Sequence, residues 1–252
     1  MLNWDLLANY MWLIQWRQVL CFFMLLTLVP VDLQAKEWWM TSRESAGLAP
    51  DPAITKEAII QVYGARAYGW RGYFGIHTWV AVKPTNARTY TIYEVIGWRQ
   101  RRKIPVLAIY ENLPDRRWYG NMPAILVEKR GDGVDALIER IDQAAQDYPY
   151  SRQYSVWPGP NSNTFTAWIS RAVPELALDL PPTAIGKDYL GYRFIGLPPS
   201  GNGLQFSVFG LLSVLASGVE GFEFNVLGLT FGIDPDPWAV KLPIVGRINL
   251  TE

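Results

Sequence analysis

Residues 154–173 constrain this chain more than any other stretch, because they force three backbone states in immediate succession. Tyr154-Ser155-Val156-Trp157 reads as a short apolar strand, and Pro158-Gly159-Pro160 reads as a turn that admits neither helix nor sheet ladder. Asn161 then has the side chain of a good N-cap, whose oxygen accepts from the free N–H groups of a first helical turn. Helical spacing follows as far as Pro174, with Phe165, Trp168, Ile169 and Ala172 on one face. Ser162 falls in the first turn, where the helix dipole stabilises negative charge. Two uses fit a serine there, a nucleophile and a structural cap.

The chain's 252 residues have room for one domain of about 200 residues plus an anchor. Half of them are apolar, with twelve Trp, so a large core can be built. Formal net charge is zero, which excludes a general electrostatic attraction to nucleic acid. The single Cys21 lies in the N-terminal apolar segment and the single His is His77. An internal disulfide, a Cys nucleophile in the soluble part and a metal site of several His or Cys ligands are therefore excluded, and no cofactor is expected.

Residues 11–31 are mostly apolar, interrupted by Gln15, Arg17 and Gln18. The segment is long enough for a bilayer span, which takes about 20 residues, while the clean run 19–29 has the length of a signal-peptide core. Arg17 would hold the N-terminus in the cytoplasm, and Trp38-Trp39 would sit at the far interface. Ala35 offers a cleavage point, but Leu33 is large where a small residue is wanted. The expectation is an uncleaved signal anchor, with a cleaved signal peptide as the alternative.

Residues 42–52, rich in Ser, Gly and Pro, read as a linker. Strand-like runs follow at 58–68, 76–83 and 90–98, the last two joined by Lys83-Pro84-Thr85-Asn86 as an antiparallel hairpin. In the run 76–83, His77, Trp79 and Ala81 share one face, and Thr78, Val80 and Val82 the other. The basic run 99–103 suits either a solvated loop or anionic headgroups. Weaker strands are expected at 106–110 and 125–128, around an irregular 112–121. Residues 132–147 form the clearest soluble helix, with Val134, Leu137, Ile138, Ile141 and Ala145 as its stripe. Residues 178–189 read as an ordered loop. Beyond them, 203–211 repeats as 221–229 at an offset of 18 residues, two Gly-interrupted strands expected to pair or to neighbour each other. Ser217, Glu220, Glu223 and Asn225 argue against a membrane hairpin there, and residues 238–248 add one more strand.

A His on a strand followed by a helix opening with Asn161-Ser162-Asn163-Thr164-Phe165 resembles the circularly permuted papain-like hydrolases and acyltransferases, the lecithin retinol acyltransferase and NlpC-like group. The resemblance covers about residues 58–175, with Ser162 where that group has its Cys and His77 in the place of the family His. Glu94 would be the third polar residue. A closer resemblance, over nearly the whole chain after the anchor, is to a bacterial family known as domain of unknown function 3750. It is carried by Phe74–Pro84, Tyr93–Trp98, Trp157–Phe165 and Thr183–Tyr189, and implies a membrane-associated, periplasmic setting without a defined reaction.

The expected fold is α+β: an N-terminal membrane helix (1–35), a linker (36–55), a mostly antiparallel, permuted papain-like core with packed helices (56–190) and a β-rich C-terminal extension (191–252). The expected function is an inner-membrane-anchored, periplasm-facing serine hydrolase or acyltransferase acting on an envelope lipid, lipoprotein or peptidoglycan. In it His77 takes the proton of Ser162, Glu94 orients His77, and Asn161, Asn163, Trp157 and Trp79 line the substrate groove. The alternative is a catalytically silent envelope protein that binds a lipid, a peptide or a membrane-protein partner.

Overall fold

The computed structural model describes residues 37–250. The expected signal anchor lies outside the described residues. Among the described residues no helix is long and apolar enough to cross a membrane.

The first half is a five-stranded antiparallel sheet in the order β4-β3-β2-β1-β5. Its strands are β1 (Ile59–Arg66), β2 (Ile76–Lys83), β3 (Thr91–Val95), β4 (Leu107–Glu111) and β5 (Ala124–Arg130). A single helical turn, α1 (Trp98–Arg101), follows β3 and takes up most of the basic run. The expected hairpin is present, with Val80 opposite Tyr93 and Val82 opposite Thr91.

Both faces of the central strands are buried, so two cores flank one sheet. Ile60, Val62, Val80, Val82, Tyr93 and Val95 meet α2 (Val134–Gln146) and α3 (Ser162–Ala172) through Ile138, Ile141, Phe165 and Ile169. Ile59, Tyr63, Trp79, Ala81 and Ile92 point the other way, against Tyr110 of β4 and against Ala49 and Trp118 from the loops. The segment 42–52 is thus part of the fold rather than a linker. Asp115 pins it by accepting from Ser45 Oγ (2.8 Å) and from the backbone N–H of Leu48 (2.7 Å) and Ala49 (3.2 Å). Tyr154–Trp157, expected as a strand, is irregular, because the turn that follows draws Ser155 N–H onto the Pro160 carbonyl (2.8 Å).

The second half is a seven-stranded antiparallel meander, β6 (Ile195–Gly196), β7 (Leu204–Val208), β8 (Leu212–Ser217), β9 (Gly221–Val226), β10 (Leu229–Pro235), β11 (Trp238–Leu242) and β12 (Gly246–Asn249). The repeat proves to be a whole hairpin. Its two copies begin with β7 and β9, which are separated by β8 instead of being paired, since 18 residues hold two strands and two turns. The turns Phe209-Gly210 and Leu227-Gly228 hold φ at 52°, 72°, 55° and 89°, the left-handed pairs that suit the twist of a tight hairpin. The expected last strand is two, β11 and β12.

Candidate functional site

The N-terminus of α3 is built as a structural junction. Asn161 caps it, its Oδ1 accepting from the N–H of Asn163 (2.9 Å) and Thr164 (3.2 Å), while the Thr164 hydroxyl accepts from Asn161 N–H (3.1 Å). Asn161 Nδ2 donates to the carbonyls of Val156 (3.1 Å) and Ile185 (3.0 Å). Asn163 Nδ2 donates to the carbonyls of Ile76 (3.1 Å) and Ile185 (2.8 Å), tying the helix to the start of β2. Gly186, at φ +98°, lies so close that a Cβ there would sit 2.4 Å from Asn161 Nδ2. Three of the motifs singled out in the sequence therefore meet here, and the two asparagines expected to bind ligand spend their polar atoms on backbone groups and on the Thr78 hydroxyl.

Ser162 is buried in this junction, and the sheet separates it from His77. Thr78 Oγ1 hydrogen-bonds with Asn163 Oδ1 (2.9 Å) and Thr166 Oγ1 (2.8 Å), so the face of β2 that carries Thr78 meets α3. Neighbouring strand residues point to opposite faces, and His77 packs on the other side against Trp118 and Trp79. The expected Ser162–His77 convergence does not occur. The remaining expected groove residues also have other roles. Trp79 is fully buried, stacks on Tyr63 with ring centroids 5.4 Å apart, and donates Nε1–H to the Pro114 carbonyl (2.7 Å). Trp157 is half exposed and donates Nε1–H to the Leu227 carbonyl (2.9 Å), joining the junction to the meander.

What the structure does assemble is a buried cluster around Glu94. His77 Nε2 lies 3.0 Å from Glu94 Oε2. Arg116 Nη2 donates to Glu94 Oε1 (2.5 Å), and the Tyr110 hydroxyl donates to the same oxygen. Burial alone would raise the Glu94 carboxyl, but the His77 hydrogen bond and the Arg116 charge outweigh it and bring the pKa down to about 2. His77 is shifted below its ordinary value, chiefly by burial, although Glu94 pulls the other way. At neutral pH the pair is a neutral imidazole donating Nε2–H to a carboxylate. The ring also stacks on Trp118, with centroids 3.6 Å apart and planes within 9°.

Beside this cluster lies a cavity of about 330 Å³. Arg43, Arg99 and Arg116 line it together with Trp98, Tyr110, Trp118, Tyr119 and Glu94. Arg43 lies over the Tyr119 ring (4.7 Å), and Arg116 lies among Trp79, Trp118 and Tyr110 at 5.5, 5.6 and 5.9 Å. Arg116 is buried, and among the described residues its Nη1 has no hydrogen-bond partner. Sequence reasoning passed over Arg43, Tyr110, Arg116 and Trp118 because they lie in irregular segments or at a strand end. Their signal is compositional: Arg116-Arg117-Trp118-Tyr119 mixes guanidinium and aromatic side chains in a loop. Among the described residues no group of three or more His, Cys, Asp or Glu side chains is placed to hold a metal ion.

Residues 57–189 match the family described as Protein of unknown function (DUF3750). The chain belongs to that family. The match takes in the five-stranded sheet, α2, α3 and the junction, and it ends before the meander, so it is shorter than the resemblance over nearly the whole chain after the anchor that the motifs suggested. No curated protein and no solved structure matches this DUF3750 member.

Proposed function

We propose that this protein is a non-catalytic binding module whose ligand is an anionic group, phosphate or carboxylate, carried on a flat or apolar body. The observation that carries the reading is Arg116, buried beside the cavity with one nitrogen on Glu94 and Nη1 unpartnered among the described residues. A buried donor left unmatched costs about 1–3 kcal/mol, which an oxyanion acceptor would recover once the cavity wall shifts to admit it to Nη1. Three guanidiniums face one carboxylate, leaving an excess of positive charge, and the aromatic walls suit the non-polar part of the ligand. The cavity volume falls in the range of about 300–1,000 Å³ usual for small-ligand sites. An anionic envelope lipid or a peptide carboxylate has this chemistry, consistent with a protein tethered to the inner membrane by residues 11–31 and facing the periplasm. A permuted papain-like acyl-serine enzyme is the less favoured reading, since its base and nucleophile would have to work through a sheet.

Titration with phenyl phosphate and with inorganic phosphate tests the site. Phenyl phosphate should raise the thermal midpoint of the wild type more than inorganic phosphate does, and Arg43→Gln with Arg99→Gln should remove the difference. Equal shifts in wild type and double variant would overturn the assignment. A C-terminal reporter active only outside the cytoplasm tests the topology, and an inactive but stable fusion would exclude it.

A further inference from the structure

The meander has its polarity turned inside out. Along β7 to β11 the inward side chains are largely polar, among them Gln205, Ser207, Glu223, Asn225, Asp234 and Lys241, all buried. They are matched to the loop before the sheet and to one another. Lys187 pairs with Glu223, Lys241 bonds Glu223 (2.7 Å) and Asp179 (2.7 Å), and Gln205 donates to Asp188 (2.8 Å). The outward side chains are apolar strand after strand. Leu204, Phe206, Phe222, Phe224, Ile233 and Trp238 are 42–64% exposed, and no charged side chain interrupts them on β7 to β11.

An antiparallel sheet with one solvated face normally turns the polar residues outward. Here the inner face is held by hydrogen bonds and ion pairs, and the outer face is the one that gains from exclusion of water. With aromatic side chains offering about 150–250 Å² each, the exposed apolar area amounts to roughly 1,000 Å². The largest patch on a typical monomer is about 300–600 Å², and a standard stable interface buries about 800 Å² on each partner.

We propose that this face packs against the same face of a second copy of the chain, forming a two-layer sandwich across a twofold axis. Sheets stack face to face about 10 Å apart with interdigitated apolar side chains, and a twofold axis presents one patch to itself. The area is sufficient for that interface. A bilayer fits less well, because an open sheet sunk into hydrocarbon would leave the edge backbone groups of β6 and β12 without partners. A foreign protein would find no charge on the outer face of β7 to β11 to select it.

The chain's single cysteine permits a direct test in the full-length protein. In a Cys21→Ser background, Phe206→Cys, Phe224→Cys and Trp238→Cys are introduced singly and oxidised in cells, with Glu139→Cys on the exposed side of α2 as control. At least one sheet position should give a disulfide-linked species of twice the chain mass, and the control should not. The detergent-solubilised wild type should sediment as a dimer, and Phe222→Asp with Phe224→Asp as a monomer with unchanged near-UV circular dichroism. A monomeric wild type overturns the proposal. So do cross-links of any other mass, equal cross-linking by the control, and labelling of the face by a photoactivatable phospholipid in a monomeric protein.

Discussion

His77 and Ser162 stand on opposite faces of the five-stranded sheet, and Thr78 fixes that relationship. Its hydroxyl is 2.9 Å from Asn163 Oδ1 and 2.8 Å from Thr166 Oγ1, so α3 covers the side of β2 that His77 leaves. A slip of one residue in β2 would reverse the arrangement, but the pairing of Val62 with Val80 and Ala65 with His77 holds the register. Glu94 meanwhile has no role toward Ser162. Its carboxylate holds three donors from three separate segments, a strand, a strand end and a loop.

The junction therefore predicts a contrast between neighbours. Ser162→Ala should change stability by less than about 1 kcal/mol. Asn161→Ala removes a cap and leaves the Val156 carbonyl without its donor, while Ile185 keeps that of Asn163, a loss of about 2–4 kcal/mol. Denaturant unfolding of both variants measures this. A serine-directed fluorophosphonate should leave the wild type unlabelled, and stoichiometric labelling lost in Ser162→Ala would restore the acyl-serine mechanism.

Gly186→Ala tests the same junction from the other side. The backbone there has φ +98°, and a Cβ would press on both terminal atoms of the Asn161 amide, which packing and four hydrogen bonds hold in place. A loss of at least about 2 kcal/mol is expected, from strain and a displaced cap together. Gly47→Ala is the control, since its φ is also positive (+71°) but no atom lies within 4 Å of the added carbon. Equal losses in the two variants would show that backbone strain alone is at work.

Glu94→Gln should cost about 3–5 kcal/mol although its shape is nearly conserved. The amide cannot balance Arg116, whose guanidinium stays buried without a counter-charge. Arg116→Met with Glu94→Gln should recover part of the loss, as a double-mutant cycle would reveal. Additive losses would mean that the two groups do not depend on each other.

Much of this architecture was legible from periodicity, and the errors have a common cause. Alternation places His77, Trp79 and Ala81 on one side of β2 and Thr78, Val80 and Val82 on the other, and the structure agrees. Alternation does not say which side receives a helix when both are apolar, and β1 to β3 are buried on both. The meander shows the same ambiguity in reverse: Glu223 and Asn225 do alternate with Phe222 and Phe224, but the polar set faces inward. Arg116 and Trp118 lie where no period exists, so only their composition could have drawn attention to them.

Having a single His, the protein offers an unusually clear pH test. In the unfolded chain His77 takes up a proton near its ordinary pKa of about 6.5, whereas burial holds the folded value lower. Below that pH the unfolded state binds a proton that the folded state does not, so stability rises with pH across this interval. The contribution is whole above about pH 6.5 and is lost as pH falls toward the folded pKa. Glu94 adds a second loss lower down. Its carboxylate, at about 2 when folded against 4.5 ordinarily, contributes stability above pH 4.5 that disappears as pH falls toward 2. The thermal midpoint of the wild type should therefore decline between about pH 7 and 5, where no other side chain ordinarily titrates, and decline again below 4.5. His77→Gln keeps an amide donor for Glu94 and cannot titrate. Its midpoint should be lower at pH 7 but flat down to pH 5, with the lower loss retained. An equal slope in wild type and variant between pH 7 and 5 would remove His77 as the group responsible and, with it, the neutral imidazole assigned to the Glu94 cluster.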